Sequence, residues 1–235
     1  MKQYYRIAGL FVEMECFGRT LSQAAPYAVS APPSVDVRID RCPPEYRDRY
    51  PEYSEELCEY LYTGMMFYRQ LINFGGMMLH SSAVTVDGKA YLFSAPCGTG
   101  KSTHTALYLR EFGARARILN DDKPALRLED GAFYAYGTPW SGKDDKNENL
   151  RVPLGGICLL SRGERNEIRR VYGKDAFFGI YAQTLRPKHT AYAEKLLDVI
   201  KPLIETVPIW ALACTPEPEA AHLSYSAMSN PEAWG

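Results

Sequence analysis

One short stretch constrains this chain more than any other: Ala95-Pro96-Cys97-Gly98-Thr99-Gly100-Lys101-Ser102-Thr103. It follows an apolar run, Lys89 to Ser94, and precedes a helical pattern from Lys101 to about Phe112 that Gly113 closes. Glycines at 98 and 100 let the backbone turn its N–H groups inward, and a helix starting directly behind them adds its positive end, so the unit is built to hold an anion. Lys101 can reach between two phosphates, and the Ser102 hydroxyl can ligate Mg²⁺. The usual first glycine is Ala95 here, still small enough for close approach. Cys97, Gly98, Thr99, Gly100, Lys101, Ser102 and Thr103 are therefore the expected contacts of a nucleoside triphosphate, ATP with Mg²⁺.

Hydrophobic periodicity sets this unit inside an α/β chain. Upstream of it, Met77 to Val86 and Lys89 to Ser94 flank Asp87-Gly88, a hairpin signal. Downstream, the run Ala116 to Leu119 ends on Asn120-Asp121-Asp122, and Leu126 to Leu128 and Ala132 to Tyr136 flank Glu129-Asp130-Gly131. A polar loop, Gly137 to Asn149, leads to an apolar strand, Gly155 to Leu160. Helices over Lys174 to Leu185 and Ala191 to Glu205, a strand over Val207 to Cys214 and a last short helix follow. Near the start, β-like runs (Tyr5 to Glu15, Val35 to Ile39) precede a helical stripe of Leu57, Leu61, Met65, Tyr68, Leu71 and Ile72, capped by Ser54 and stopped by Gly75-Gly76. Two regions are expected: a small β/α region, residues 1–75, in contact with substrate or another subunit, and a nucleotide-binding core, residues 76–235.

Composition narrows the partners. With 27 basic against 28 acidic residues the net charge is −1, so no field over the whole molecule draws it to nucleic acid or to an anionic membrane. The longest apolar runs are too short to span a bilayer. Glu13 and Glu15 arrive before any signal-like apolar core, so a cytoplasmic location is expected. Cys16, Cys42, Cys58, Cys97, Cys158 and Cys214 form no C-x-x-C pair and no zinc spacing with histidine, so reduced thiols are expected. Cys97 stands apart through its place beside a helix N-terminus.

Further residues can complete a reaction site. His80 lies one strand from the loop, as a core or surface histidine or as a catalytic one. Asp121-Asp122, at the end of an apolar strand, suits a Mg²⁺ ligand plus an acid or base, with the assignment between them open; the alternative is an acidic turn. Arg151 is either a surface arginine or a group that neutralises charge on a transferred phosphoryl. Lys143 and Lys146 stand in the polar loop where a substrate would pass, and Trp140 is either an exposed anchor or a plug beneath that loop.

In this order the residues resemble the HPr kinase/phosphorylase and ATP-dependent phosphoenolpyruvate carboxykinase superfamily. Met78-Leu79-His80-Ser81-Ser82-Ala83 is similar to the carboxykinase Met-His-Cys-Ser-Ala and HPr kinase Met-His-Gly segments. Cys97 to Ser102 resembles Ser-Gly-Thr-Gly-Lys-Thr, Leu119 to Asp122 the apolar-x-Asp-Asp motif, and Glu148 to Val152 the carboxykinase Glu-Asn-Thr-Arg-Val. The resemblance covers about residues 77 to 220. It implies a carboxykinase-like P-loop core of mixed strands with flanking helices, binding ATP and Mg²⁺. Lys101 and the backbone of Gly98 to Lys101 would hold phosphates, and Ser102 and Asp122 the metal. Asp121, oriented by His80, would be the general base, and Arg151 would steady the moving group. The chain is much shorter than a carboxykinase and has no set of upstream arginines for oxaloacetate, which speaks against that activity. It also lacks the C-terminal signature of phosphorolysis. The expected activity is an ATP- and Mg-dependent, HPr kinase-like transfer of the γ-phosphoryl group to a hydroxyl, serine of a peptide or protein first. A small-molecule kinase and a non-catalytic nucleotide-binding regulatory module are the alternatives, and oligomerisation is left open.

Overall fold

The computed structural model describes residues 2–186 and 189–234; Met1, Pro187, Lys188 and Gly235, which fall within the two expected regions, lie outside the described residues. A small sheet comes first. β1 (Gln3–Ile7) and β2 (Leu10–Met14) form a hairpin, joined by β3 (Ala28–Val29) and β4 (Val37–Ile39) in the order β3-β1-β2-β4. Strand periodicity buries Tyr5, Ile7, Val12 and Met14 on one face. Helix α1 (Gly18–Ala24) links β2 to β3, and α2 (Pro44–Arg47) precedes the long helix α3 (Glu55–Leu71). Ser54 Oγ caps α3 by accepting the Leu57 N–H at 3.1 Å. The buried face of α3 (Tyr60, Phe67, Tyr68, Leu71) packs on the small sheet and also on Ala125, Tyr136 and Trp140, so one apolar cluster joins the beginning of the chain to its middle.

The larger sheet holds nine strands among the described residues. These are β5 (Gly76–Met78), β6 (Ser81–Val86), β7 (Lys89–Ser94), β8 (Ala116–Asn120), β9 (Ala125–Glu129), β10 (Ala132–Tyr136), β11 (Arg151–Arg162), β12 (Glu167–Arg170) and β13 (Ile209–Cys214). The path runs β5-β9-β10-β11-β7-β6-β8, with β13 paired to β11 and β12. Within it β7, β11 and β13 are parallel. Alternate residues of β7 face opposite layers. Tyr91 and Phe93 pack beneath α4 (Lys101–Phe112) and α7 (Pro218–Ser229), while Ala90 and Leu92 pack with residues of α5 (Gly173–Tyr181) and α6 (Thr190–Thr206). Helices thus cover both faces of the parallel strands, as sheets of that kind require.

Three sequence expectations change. Met77 to Val86 is not one strand: Leu79-His80 breaks it, β5 pairs with β9, and β6 pairs with β7 and β8. His80 therefore sits in the break rather than on the hairpin, its N–H donating to the Gln183 carbonyl at 2.7 Å. The strand expected over Gly155 to Leu160 extends to Arg151–Arg162, and β12 adds an edge that Glu-Ile-Arg-Arg does not advertise. Among the described residues no helix is long and apolar enough to cross a membrane.

Candidate active site

The loop leaves the carboxyl end of β7, on the same edge of the sheet as the carboxyl ends of β11 and β13, the side on which open α/β sheets receive ligands. Gly98 (φ +78°) and Gly100 (φ +118°) take backbone conformations that a side chain would strain. Lys101, only 8% exposed, donates from its ammonium to the carbonyls of Ala95 (2.8 Å) and Pro96 (3.3 Å). Burial lowers its pKa, and the charge of Asp122 works against that. Arg162, at the end of β11, donates to the Gly98 carbonyl at 2.7 Å and braces the loop from outside.

A cleft of about 510 Å³ opens in front of this wall. The loop lines one side; His80, Asp121, Asp122 and the segment Gly142 to Asp144 line the other. Three segments distant in sequence thus bring Lys101, Ser102, His80, Asp121 and Asp122 together. The side chain of Asn120 shapes the acidic turn, its Oδ1 accepting from the N–H groups of Asp122 (3.0 Å) and Lys123 (2.7 Å). The two carboxylates that follow differ. Burial pushes Asp122 up, but the hydrogen bond from His80 and the adjacent Lys123 ammonium outweigh it and hold that carboxyl well below the usual range. Asp121 is raised, first by burial and then by the charges of Asp122 and Asp144, against the Gly142 N–H that its Oδ1 accepts.

His80 was expected to orient Asp121, and its partner is Asp122: Nε2 lies 3.2 Å from Asp122 Oδ1 while Nδ1 faces Gln183 Oε1 at 3.1 Å. Arg151 does not line the cleft. The parallel register sets Leu154 opposite Ala90, so Arg151 lies beyond the amino end of β7, the full length of the strand from the loop, about 20 Å at 3.3 Å per residue. There its guanidinium meets Glu129 (3.0 Å) and Tyr136 (3.1 Å) and stacks over Tyr134. Arg162, at the other end of the same strand, is the arginine beside the glycine loop. A basic residue at the carboxyl end of a strand parallel to β7 was the signal for it. Lys143 lines the cleft, and Lys146 pairs with Asp144 at 3.2 Å. Cys97 is exposed at the cleft rim. Trp140 is the plug, 1% exposed and stacked on Phe67.

The Gly142–Asp144 wall is held by the first region of the chain. Arg19 donates to the Gly142 carbonyl and, from Nε, to Asp145 at 2.9 Å; Tyr27 donates to Asn147 Oδ1 at 2.8 Å. A second hollow, of about 390 Å³, adjoins the cleft through Gly100 and Thr103, and Thr99, Leu107, Arg162 and Cys214 form part of its lining. Among the described residues no group of three or more His, Cys, Asp or Glu gathers as a metal cage. Oxygens lining the cleft include those of Ser102, exposed and making no hydrogen bond from its hydroxyl among the described residues, and of Asp121 and Asp122. Such a set fits Mg²⁺, which commonly takes one or two carboxylates and completes its shell with phosphates and water.

No protein-family model matches the sequence. The solved structures to which the chain is similar include an HPr kinase. That structure is the Hpr(Ser) kinase/phosphatase from Coxiella burnetii, with a TM-score of 0.38 and 11% identity, covering 66% of this chain and 96% of that one. The likeness is distant.

Proposed function

We propose that the cleft is the active site of an ATP- and Mg-dependent kinase that transfers the γ-phosphoryl group to a hydroxyl, serine of a peptide or protein. The observation that carries this reading is the meeting, across one cleft, of the glycine loop with Lys101 and Ser102 and the paired carboxylates with His80. Phosphoryl transfer asks mainly for positioning and for neutralisation of spreading charge. When bound, Mg·ATP supplies the phosphoryl group and the cation that shields it. The N–H groups of the loop and the start of α4 bind the phosphates, Lys101 leaving its carbonyl partners to join them. The hollow at Thr99, Leu107 and Cys214 has the size and neighbourhood for the nucleoside. Asp122, held ionised, and the Ser102 hydroxyl are the metal-side oxygens, with His80 orienting Asp122 rather than the base. Asp121 is the general base: its raised pKa lies nearer the working pH, where a base is most effective. Arg162 and Lys143 take the charge-neutralising part first expected of Arg151.

The test is incubation with γ-labelled ATP and serine peptides or hydroxyl metabolites, the product being identified by mass spectrometry. Labelled serine is expected, and Asp121→Asn is expected to abolish it while Mg·ATP still binds. Tight nucleotide binding with no acceptor ever labelled would favour the regulatory module instead.

A further inference from the structure

Behind the acidic wall lies a separate, apolar cavity of about 110 Å³. Leu61 and Met65 of α3 line one side of it, and Met78, Trp140 and Leu185 the other. Part of this wall is rigid. Trp140 is fixed by stacking on Phe67 and by its indole N–H, which donates to Thr63 Oγ1 at 3.1 Å. Gly64 lets α3 come this close, since a Cβ there would stand 2.8 Å from the indole. The rest is open: Leu61, Met65, Met78 and Leu185 are each only half-buried around the space. A void left over from core packing would have these side chains closed over it.

The residues that line the cavity also stand a short step along the chain from those that line the cleft. Met78 is two residues from His80, Lys123 follows Asp122, Trp140 is two residues before Gly142, and Leu185 is two after Gln183, the partner of His80. Among the described residues, Lys123 is the one charged residue in the lining, and its ammonium is engaged by Asp122. Two residues of extended chain cover about 7 Å. A hydroxyl presented to Asp121 therefore has the cavity within reach of its near neighbours.

Resting on the kinase reading, we infer that this cavity is the specificity pocket for the phosphoryl acceptor. It takes the aliphatic side chain of a residue one or two positions from the phosphorylated serine in an extended peptide. The size selects the chemistry: an apolar cavity of about 150 Å³ holds a benzene ring, so this one suits a branched aliphatic or thioether chain. The two methionines in its lining give a surface that adapts to such side chains.

An oriented serine-peptide library with Mg·ATP tests the assignment on the full chain and on two variants that fill or enlarge the cavity, Met65→Trp and Met65→Ala. The nucleotide-induced rise in melting temperature reports that each variant is folded. Wild type is expected to select Leu, Ile, Val or Met at one fixed position within two residues of the serine. Met65→Trp should lower kcat/KM for the best such peptide about tenfold or more, the usual effect of a misfit of a few methylenes. Met65→Ala should move selection toward larger side chains. Serine peptides labelled with no apolar preference, or with a preference that neither variant moves, would overturn the pocket and leave the kinase reading standing. Bound Mg·ATP with no labelled acceptor of any kind would overturn both, and labelling confined to small molecules would overturn the pocket alone.

Discussion

The two walls of the cleft are built on opposite plans. The loop wall is nine consecutive residues, a helix start and one buried lysine, and its binding groups are backbone. The acidic wall is assembled from a break between strands at His80, a turn shaped by Asn120, a loop segment at Gly142 and a helix end at Gln183, and its working groups are side chains. Backbone donors tolerate changes of side chain around them. A wall of oriented carboxylates does not, because each depends on partners from elsewhere in the chain.

That contrast can be broken most sharply on the acidic side. Asp122→Asn removes the charge that His80 and Lys123 hold in place and is expected to lower phosphoryl transfer by roughly 10²–10³-fold. His80→Ala should give a smaller loss, because Lys123 remains; steady-state kinetics with the labelled peptide compare them. Equal activity in both variants would mean that the acidic wall is only structural. On the loop side, Lys101→Ala should lose Mg·ATP affinity or turnover by about two to three orders of magnitude, read by calorimetry and kinetics. Retained binding would remove the loop from the site.

Behind the loop wall, His104 on α4 gives a third handle. It is buried beside Phe93 and Tyr108, with Nε2 facing Ser224 Oγ at 3.0 Å, and burial lowers its pKa to about 4 from an ordinary 6.5. The unfolded chain takes up this proton near pH 6.5 and the folded chain only near pH 4. Its contribution to stability is thus complete above about pH 6.5 and is lost as pH falls toward 4, by about 3 kcal/mol. Urea unfolding at pH 7 and pH 4.5 measures it, and His104→Gln should flatten the difference. The smallest expected effect distinguishes the two arginines of β11. Arg162→Ala should weaken nucleotide turnover about tenfold by releasing the Gly98 carbonyl. Arg151→Ala, which acts on Glu129 and Tyr136 at the far end, should leave turnover near wild type.

The same contrast explains what could be read before the structure. The loop, α4 closing at Gly113, α3 capped by Ser54 and the Asp87-Gly88 hairpin depend on neighbours in sequence, and all are present as expected. His80 was visible as a residue but not as the partner of Asp122, because the break that turns it toward that carboxylate is fixed by Gln183, more than a hundred residues later. Arg151 drew attention through its motif, and Arg162 did not. Only the parallel register of β7 and β11 tells which end of the strand meets the glycine loop. β12 was missed because four residues, Glu-Ile-Arg-Arg, alternate too weakly to read as a strand and owe their state to pairing with β13.

The grip of Arg19 and Tyr27 on the loop after Trp140 bears on the order in which the protein acquires its cleft. Those contacts join residues more than a hundred positions apart, and non-local contacts form late because the intervening chain must first be brought to order. The β1–β2 hairpin and α1 are synthesised before the segment they will hold. The turn of the glycine loop, by contrast, is set mainly by its own strand and helix, with Arg162 added from β11. The wall written in consecutive residues therefore has its shape set early, and the wall that depends on Arg19 and Tyr27 is completed later.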